Sequence, residues 1–147
     1  MLAALRAVAR AFARASLDPG CDSLALGRLR FALEAREEIT MLRIYPVILE
    51  VLRELRSALG QIERRDSDLG RQLRRSATSI LLNVAEGSYS RGKSRAARYP
   101  TALGSARETL ACLEAAHALG YAASLDAALV ARLNRVIGTL VRLVGSS

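Results

Sequence analysis

Histidine occurs once in this 147-residue chain, cysteine twice and aspartate five times, and no apolar run approaches a membrane span. Each scarcity removes a class of function. A spanning helix needs ~20 consecutive apolar residues, so a membrane protein of that kind is not expected. Cys21 and Cys112 are too few for a disulfide framework and lack metal-ligand spacing, so both are expected as reduced thiols in a cytoplasmic protein. The lone histidine, His117, stands in an E-x-x-H pair with Glu114. A di-iron carboxylate site needs a second such pair and two further glutamates, so no metal or other cofactor is expected, and His117 is read as a hydrogen-bonded core residue. Nucleophilic catalysis fails for the same reason. Ser88, Ser90, Ser94 and Ser105 have no histidine base in sequence reach. The residues point away from an enzyme.

Acidic residues are also few. Fourteen stand against 22 basic ones, 21 of them arginine, for a net charge of +8. Most of that surplus, 16 basic against 9 acidic, lies in residues 41–147. Apolar residues make up 51% and charged residues 24%, a globular composition, and the length suits one domain. The charge favours an anionic partner. The opening "MLAALRAVARAFARASLDPG" carries Arg6, Arg10 and Arg14 on one helical face. These arginines interrupt any signal-peptide core, so secretion is not expected. The stretch loosely resembles an organelle presequence, and one helix of an ordinary protein fits it as well.

What the chain has in plenty is helical periodicity. Ile44, Val47, Ile48, Val51, Leu52, Leu55, Leu59 and Ile62 recur at three- and four-residue spacing and predict a helix over 42–62, with Pro46 in its first turn. Asp66 or Ser67 is expected to cap a second helix that buries Leu69, Leu73, Ser76 or Ala77, Ile80 and Val84 and stops at Gly87. A third is expected from about Ser94 to Leu119, with Leu103, Ala106, Leu110, Leu113 and His117 inward, and either a late start or a kink at Pro100. Gly120 closes it. Ser124 is expected to cap a fourth that buries Leu125, Leu129, Leu133, Val136, Leu140 and Val144. Val130, Ile137 and Val141 make this last helix apolar on more than one stripe, which suggests burial against another copy. The fold class is all-α: an antiparallel up-down four-helix bundle over 41–147, with residues 1–40 as a helical N-terminal extension.

Gly87 and Gly92-Lys93-Ser94 match the G-x-x-x-x-G-K-[ST] phosphate loop. That loop needs a strand before it, a helix after it and a magnesium-binding aspartate at a strand end. "SILLNVAE" instead continues the helical register of "LGRQLRRSA", and no aspartate ends an apolar run. The match is read as coincidence. A basic surface remains: Arg64, Arg65, Arg71, Arg74, Arg75, Arg91, Lys93, Arg95 and Arg98 fall within 35 residues, interleaved with Tyr89 and Tyr99. Nucleic-acid binding is expected from Arg71, Arg74, Arg91, Lys93, Arg95 and Arg98 through phosphates, with Tyr89 and Tyr99 as stacking rings. The bland reading is a solvated helix face and turn.

"QLRRSATSILLNVAEG", residues 72–87, followed by "ALGSARE", residues 102–108, resembles the bacterial four-helix bundle proteins. These include proteins encoded by intervening sequences in large-subunit ribosomal RNA genes and accessory variability proteins of diversity-generating retroelements. The resemblance covers about residues 42–144 and places the polar signature at Arg75, Ser79, Asn83, Glu86, Gly87, Gly104, Ser105 and Glu108. It implies a barrel-shaped homopentamer with a basic surface that binds DNA or RNA and a reverse transcriptase, without catalysis of its own. The spacing alone puts Asn83 and Glu86 on one helix face and Ser105 and Glu108 on another, where the pairs are expected to meet as buried architectural groups, with Gly104 letting the backbones approach. Two departures stand out. Pro100 falls where the family continues a helix, and "MLRIYPVILEVLREL" from Met41 looks like a family N terminus. Residues 1–40 are then either an extension or the product of a start codon placed too early.

Overall fold

The computed structural model describes residues 23–90, 93–122 and 124–145. Cys21 and the arginines at 6, 10 and 14 lie outside the described residues. Four helices account for nearly all of what is described: α1 Ser23–Arg65, α2 Ser67–Tyr89, α3 Lys93–Ala118 and α4 Ala127–Val144. Among the described residues there is no strand. Internal contacts divide the chain into a unit of Met1–Thr40 and a unit of Met41–Gly145. The second unit holds the bundle.

The helix ends follow from local chemistry. Asp66 is the only residue between α1 and α2, in extended conformation at φ −147° and ψ 102°. Its carboxylate accepts from the amides of Asp68 at 3.0 Å and Leu69 at 2.9 Å, which satisfies two of the donors that a helix start leaves open. Arg64 and Arg65 occupy the last turn of α1, where the helix dipole favours cations. Gly120, at φ +71°, ends α3 as expected. Its amide donates to the His117 carbonyl at 3.0 Å and that of Tyr121 to the Ala116 carbonyl at 2.8 Å, the paired bonds of a Schellman turn.

Three boundaries differ from the sequence reading. The cap of α4 is Asp126 and not Ser124; its side chain accepts from the amide of Ala128 at 2.8 Å. Gly87 does not stop α2, which runs on to Tyr89 with Ser90 as C-cap. Pro46 lies inside α1 and not in a first turn. Its ring forgoes one helical hydrogen bond, and Pro46 itself is exposed. Ile44 and Ile48 on either side are buried and hold the helix in place. Pro100 is likewise exposed inside α3, between buried Tyr99 and Ala102.

The core is continuous across the four helices. Ile44, Ile48, Val51, Leu55 and Ile62 of α1 meet Leu73, Ala77, Ile80 and Val84 of α2, Leu113 of α3 and Leu129, Leu133, Val136 and Leu140 of α4. Cross-helix pairs give the direction. Ser76 faces Thr109, Ser79 faces Ser105 and Gly87 faces Tyr99, so α3 descends as α2 rises. Glu63 of α1 packs on Gly70 of α2, and Arg132 of α4 reaches Glu54 of α1 at 2.9 Å. The four helices close into an antiparallel bundle.

The third stripe is buried as expected at Ala106 and Leu113 but lies one residue off at Leu103, Leu110 and His117. Leu103 and Leu110 are only half-buried, and the deepest positions of α3 are Ala102, Ala106, Thr109, Leu113 and Ala116. The cause is the close packing of α3 on α2, where small side chains occupy the seam and leucines flank it. His117, expected in the core, is exposed in the last turn of α3.

Candidate nucleic-acid interface

The α2–α3 seam gathers part of the polar signature. Ser79 Oγ and Ser105 Oγ lie 2.8 Å apart. Asn83 Nδ2 donates to Ser79 Oγ at 3.1 Å and to the Ser79 carbonyl at 2.9 Å. Farther down, Thr109 Oγ1 lies 3.0 Å from Ser76 Oγ. Ser76, Asn83, Ser105 and Thr109 are all buried, and each hydroxyl or amide here has a partner, as burial requires. The row of hydroxyls fixes the register of two helices whose facing residues are too small to interlock by shape.

Other members of the signature are placed differently from the expectation. Glu86 and Glu108 do not meet and are not buried. Glu86 pairs with Arg98 at 2.8 Å, both side chains being about half exposed, and Glu108 accepts from Gln72 Nε2. Three-residue spacing put them on the right helix faces, but glutamate's length carries the carboxylate past the seam to water. Gly104 is exposed, and a Cβ there would meet nothing within 4 Å. The close approach is at Gly87, where a Cβ would stand 2.9 Å from Cδ1 of Tyr99. Arg75 is exposed on α2.

The arginines expected to touch phosphate fall into two groups. Helical rise of ~1.5 Å per residue separates Arg71 from Tyr89 by ~27 Å along α2. Arg71 and Arg74 thus stand at the α1–α2 end, and Tyr89 and Arg98 at the α2–α3 end. Arg91 lies outside the described residues, as do the side chains of Lys93 and Arg95. Each described cation of the expected set has an acidic partner: Arg71 with Asp68, Arg74 with Glu63, Arg98 with Glu86. Surface pairs of this kind contribute about 0–1 kcal/mol, so a phosphate can replace the carboxylate at small cost. Arg64, Arg65, Arg75 and Arg107 are exposed and belong to no ion pair among the described residues. Only tertiary placement distinguishes them from the paired arginines.

The two tyrosines part company. Tyr89 is 93% exposed at the end of α2 and Tyr99 is 1% exposed. Tyr99 therefore cannot serve as a stacking ring, because α3 begins already at Lys93 and carries the ring onto Gly87. The same two helices dispose of the phosphate-loop match. Residues 79–86, which would be its leading strand, are helix, and so is Gly87. Cys112 is a free, buried thiol; burial first, and then the neighbouring Glu108 carboxylate, push its pKa up. Among the described residues no three of histidine, cysteine, aspartate and glutamate cluster as a metal site would need, and no helix is long and apolar enough to cross a membrane.

The family model described as 23S rRNA-intervening sequence protein matches residues 43–142, the four-helix unit almost end to end. The chain belongs to that family. The match takes in the whole α2–α3 seam, both ends of the bundle and the Arg132 bridge to α1. Comparison with curated proteins and with solved structures finds no match.

Proposed function

We propose that this intervening-sequence family protein is a non-enzymatic nucleic-acid binder that holds DNA or RNA by phosphate contacts with little sequence preference. What supports the reading is the net charge of +8 together with exposed arginines toward both ends of α2. Oligomerisation multiplies such contacts into an avid site. Val141 of α4 is 44% exposed, and Ile137 is only partly buried, so α4 presents apolar surface suited to a second copy. The pentameric number and a reverse transcriptase as protein partner rest on the resemblance described above.

Binding of this kind weakens steeply with salt, with a log–log slope of about −0.7 to −0.9 per phosphate neutralised. The test is fluorescence anisotropy on labelled single strands, DNA duplex and RNA across a salt series. Replacing Arg91, Lys93, Arg95 and Arg98 by alanine flattens the slope while leaving the helical spectrum unchanged, and magnesium-ATP does not compete specifically. Absence of any salt-sensitive binding at about 50 mM salt overturns the reading. One observation favours a second reading, a protein-interaction oligomer whose charge is incidental: Arg71, Arg74 and Arg98 already have carboxylate partners. That reading predicts an oligomer by light scattering and no salt-dependent shift of nucleic acid.

A further inference from the structure

A groove of about 210 Å3 opens between α1 and α2, lined by Leu52, Leu55, Arg56, Leu59, Leu73, Arg74, Ala77 and Thr78. Its cause is a mismatch of side-chain length. Leucines rise from α1, while Ala77 and Thr78 on the opposite wall are too short to meet them. Five of the eight lining side chains are apolar, and Leu52 and Leu59 are only partly covered. The hydroxyl of Thr78 already lies 2.9 Å from the Arg74 carbonyl, so this wall makes no polar demand on an occupant. An engineered apolar cavity of ~150 Å3 holds a benzene-sized group, so the space here admits a bulky apolar side chain.

We propose that this groove docks a short acidic amphipathic helix of a partner protein, with an apolar anchor between the leucines and carboxylates on the arginine rim. Charge selects the occupant. The only charged lining residues are Arg56 and Arg74. Arg74 is paired with Glu63. Arg56 is exposed and has no acidic partner among the described residues. Arg53, one turn earlier, and Arg75, beside Arg74, are exposed and unpaired in the same sense. A second copy of a chain with net charge +8 would bring arginine against arginine. Nucleic acid fits poorly, because no aromatic ring lines the floor and apolar leucines offer a base no hydrogen bond. Leu52 and Leu59, seven residues apart, span ~10 Å, the reach of apolar residues at i, i+3 or i+4 and i+7 of a docked helix.

The probe is a fluorescein-labelled 14-residue helical peptide, glutamate-rich, with leucines at i, i+3 and i+7, titrated with the full chain. Saturable binding is expected, at least tenfold weaker with Arg56→Glu and with Thr78→Trp, which fills the groove from an exposed position. A peptide with its leucines replaced by asparagine, or its glutamates by glutamine, also binds at least tenfold more weakly. Both protein variants keep the helical spectrum and any salt-dependent binding of nucleic acid. No binding of the parent peptide, or equal binding by the asparagine peptide, overturns the proposal. So does Thr78→Trp dissociating an oligomer, which assigns the groove to a second copy. If Thr78→Trp does not fold, unchanged affinity with Arg56→Glu is by itself decisive against it.

Discussion

Two glycines of the polar signature are predicted to respond oppositely to the same substitution. Gly87 sits inside α2 under the ring of Tyr99, and a Cβ would come within 2.9 Å of Cδ1 and 3.2 Å of Cζ. The ring cannot withdraw, being 1% exposed and set in the closely packed seam. Overpacking of this sort costs about 1–3 kcal/mol. Gly→Ala in a helix interior returns about 1 kcal/mol through propensity, so Gly87→Ala is expected to destabilise, by up to about 2 kcal/mol. At Gly104 nothing lies within 4 Å of the added Cβ, leaving only the propensity gain. Gly104→Ala is expected to stabilise by about 0.5–1 kcal/mol. Urea denaturation followed by circular dichroism, at one fixed protein concentration, measures both. The Tyr99→Ala background separates the clash from other effects. With the ring gone, Gly87→Ala should cost nothing or stabilise. A stabilising Gly87→Ala in the parent chain, or an equal cost with and without the ring, would refute the reasoning.

Asp66→Ala and Asp126→Ala should each lower stability by about 1 kcal/mol, the usual loss of an N-cap, whereas Ser124→Ala should change little; urea melts rank the three. Asn83→Ala removes a buried amide and leaves the Ser79–Ser105 pair short of a donor, at about 1–3 kcal/mol. Glu86→Ala breaks only a half-exposed pair and should cost no more than about 1 kcal/mol. Cys112 carries its proton to higher pH than an ordinary thiol, so at pH 8 less of it is thiolate. In a Cys21→Ser chain its alkylation by iodoacetamide should be at least tenfold faster in urea than in buffer, which thiol titration with time will show.

The bundle was legible because three of its four apolar stripes are built from large residues whose spacing speaks for itself. Ile48, Val51 and Leu55, Leu73, Ile80 and Val84, and Leu133, Val136 and Leu140 lie inside, as periodicity requires. The third stripe misled for a physical reason. Periodicity weights leucine above alanine and threonine, but two helices that approach closely bury their small residues, and Leu103 and Leu110 are pushed to the flank. The caps show the same ambiguity. Ser124 and Asp126 are both good N-cap residues, and only where the chain turns toward α3 decides between them. Gly87 satisfies the sequence pattern of a helix stop, yet what fixes it as glycine is a ring 12 residues later.

The interface was less legible because charge density along a chain says nothing of where the countercharges fold. Arg71, Arg74 and Arg98 lie close in sequence, but an antiparallel pair of helices sends Arg98 to the opposite end of α2 from Arg71 and Arg74. Proximity in sequence implies proximity in space only within a turn or a loop, and 23 residues of helix intervene between these ends. A single phosphate tract touched at both ends must extend over ~27 Å, roughly one turn of duplex at ~34 Å, whereas a compact single-stranded loop reaches only one. Separate alanine sets at the two ends, Arg71 with Arg74 and Arg95 with Arg98, therefore distinguish the modes. On duplex both sets should reduce the salt slope by similar amounts. On an oligonucleotide too short to span the bundle one set should dominate, and equal loss there would mean that copies in an oligomer, not the ends of one chain, compose the site.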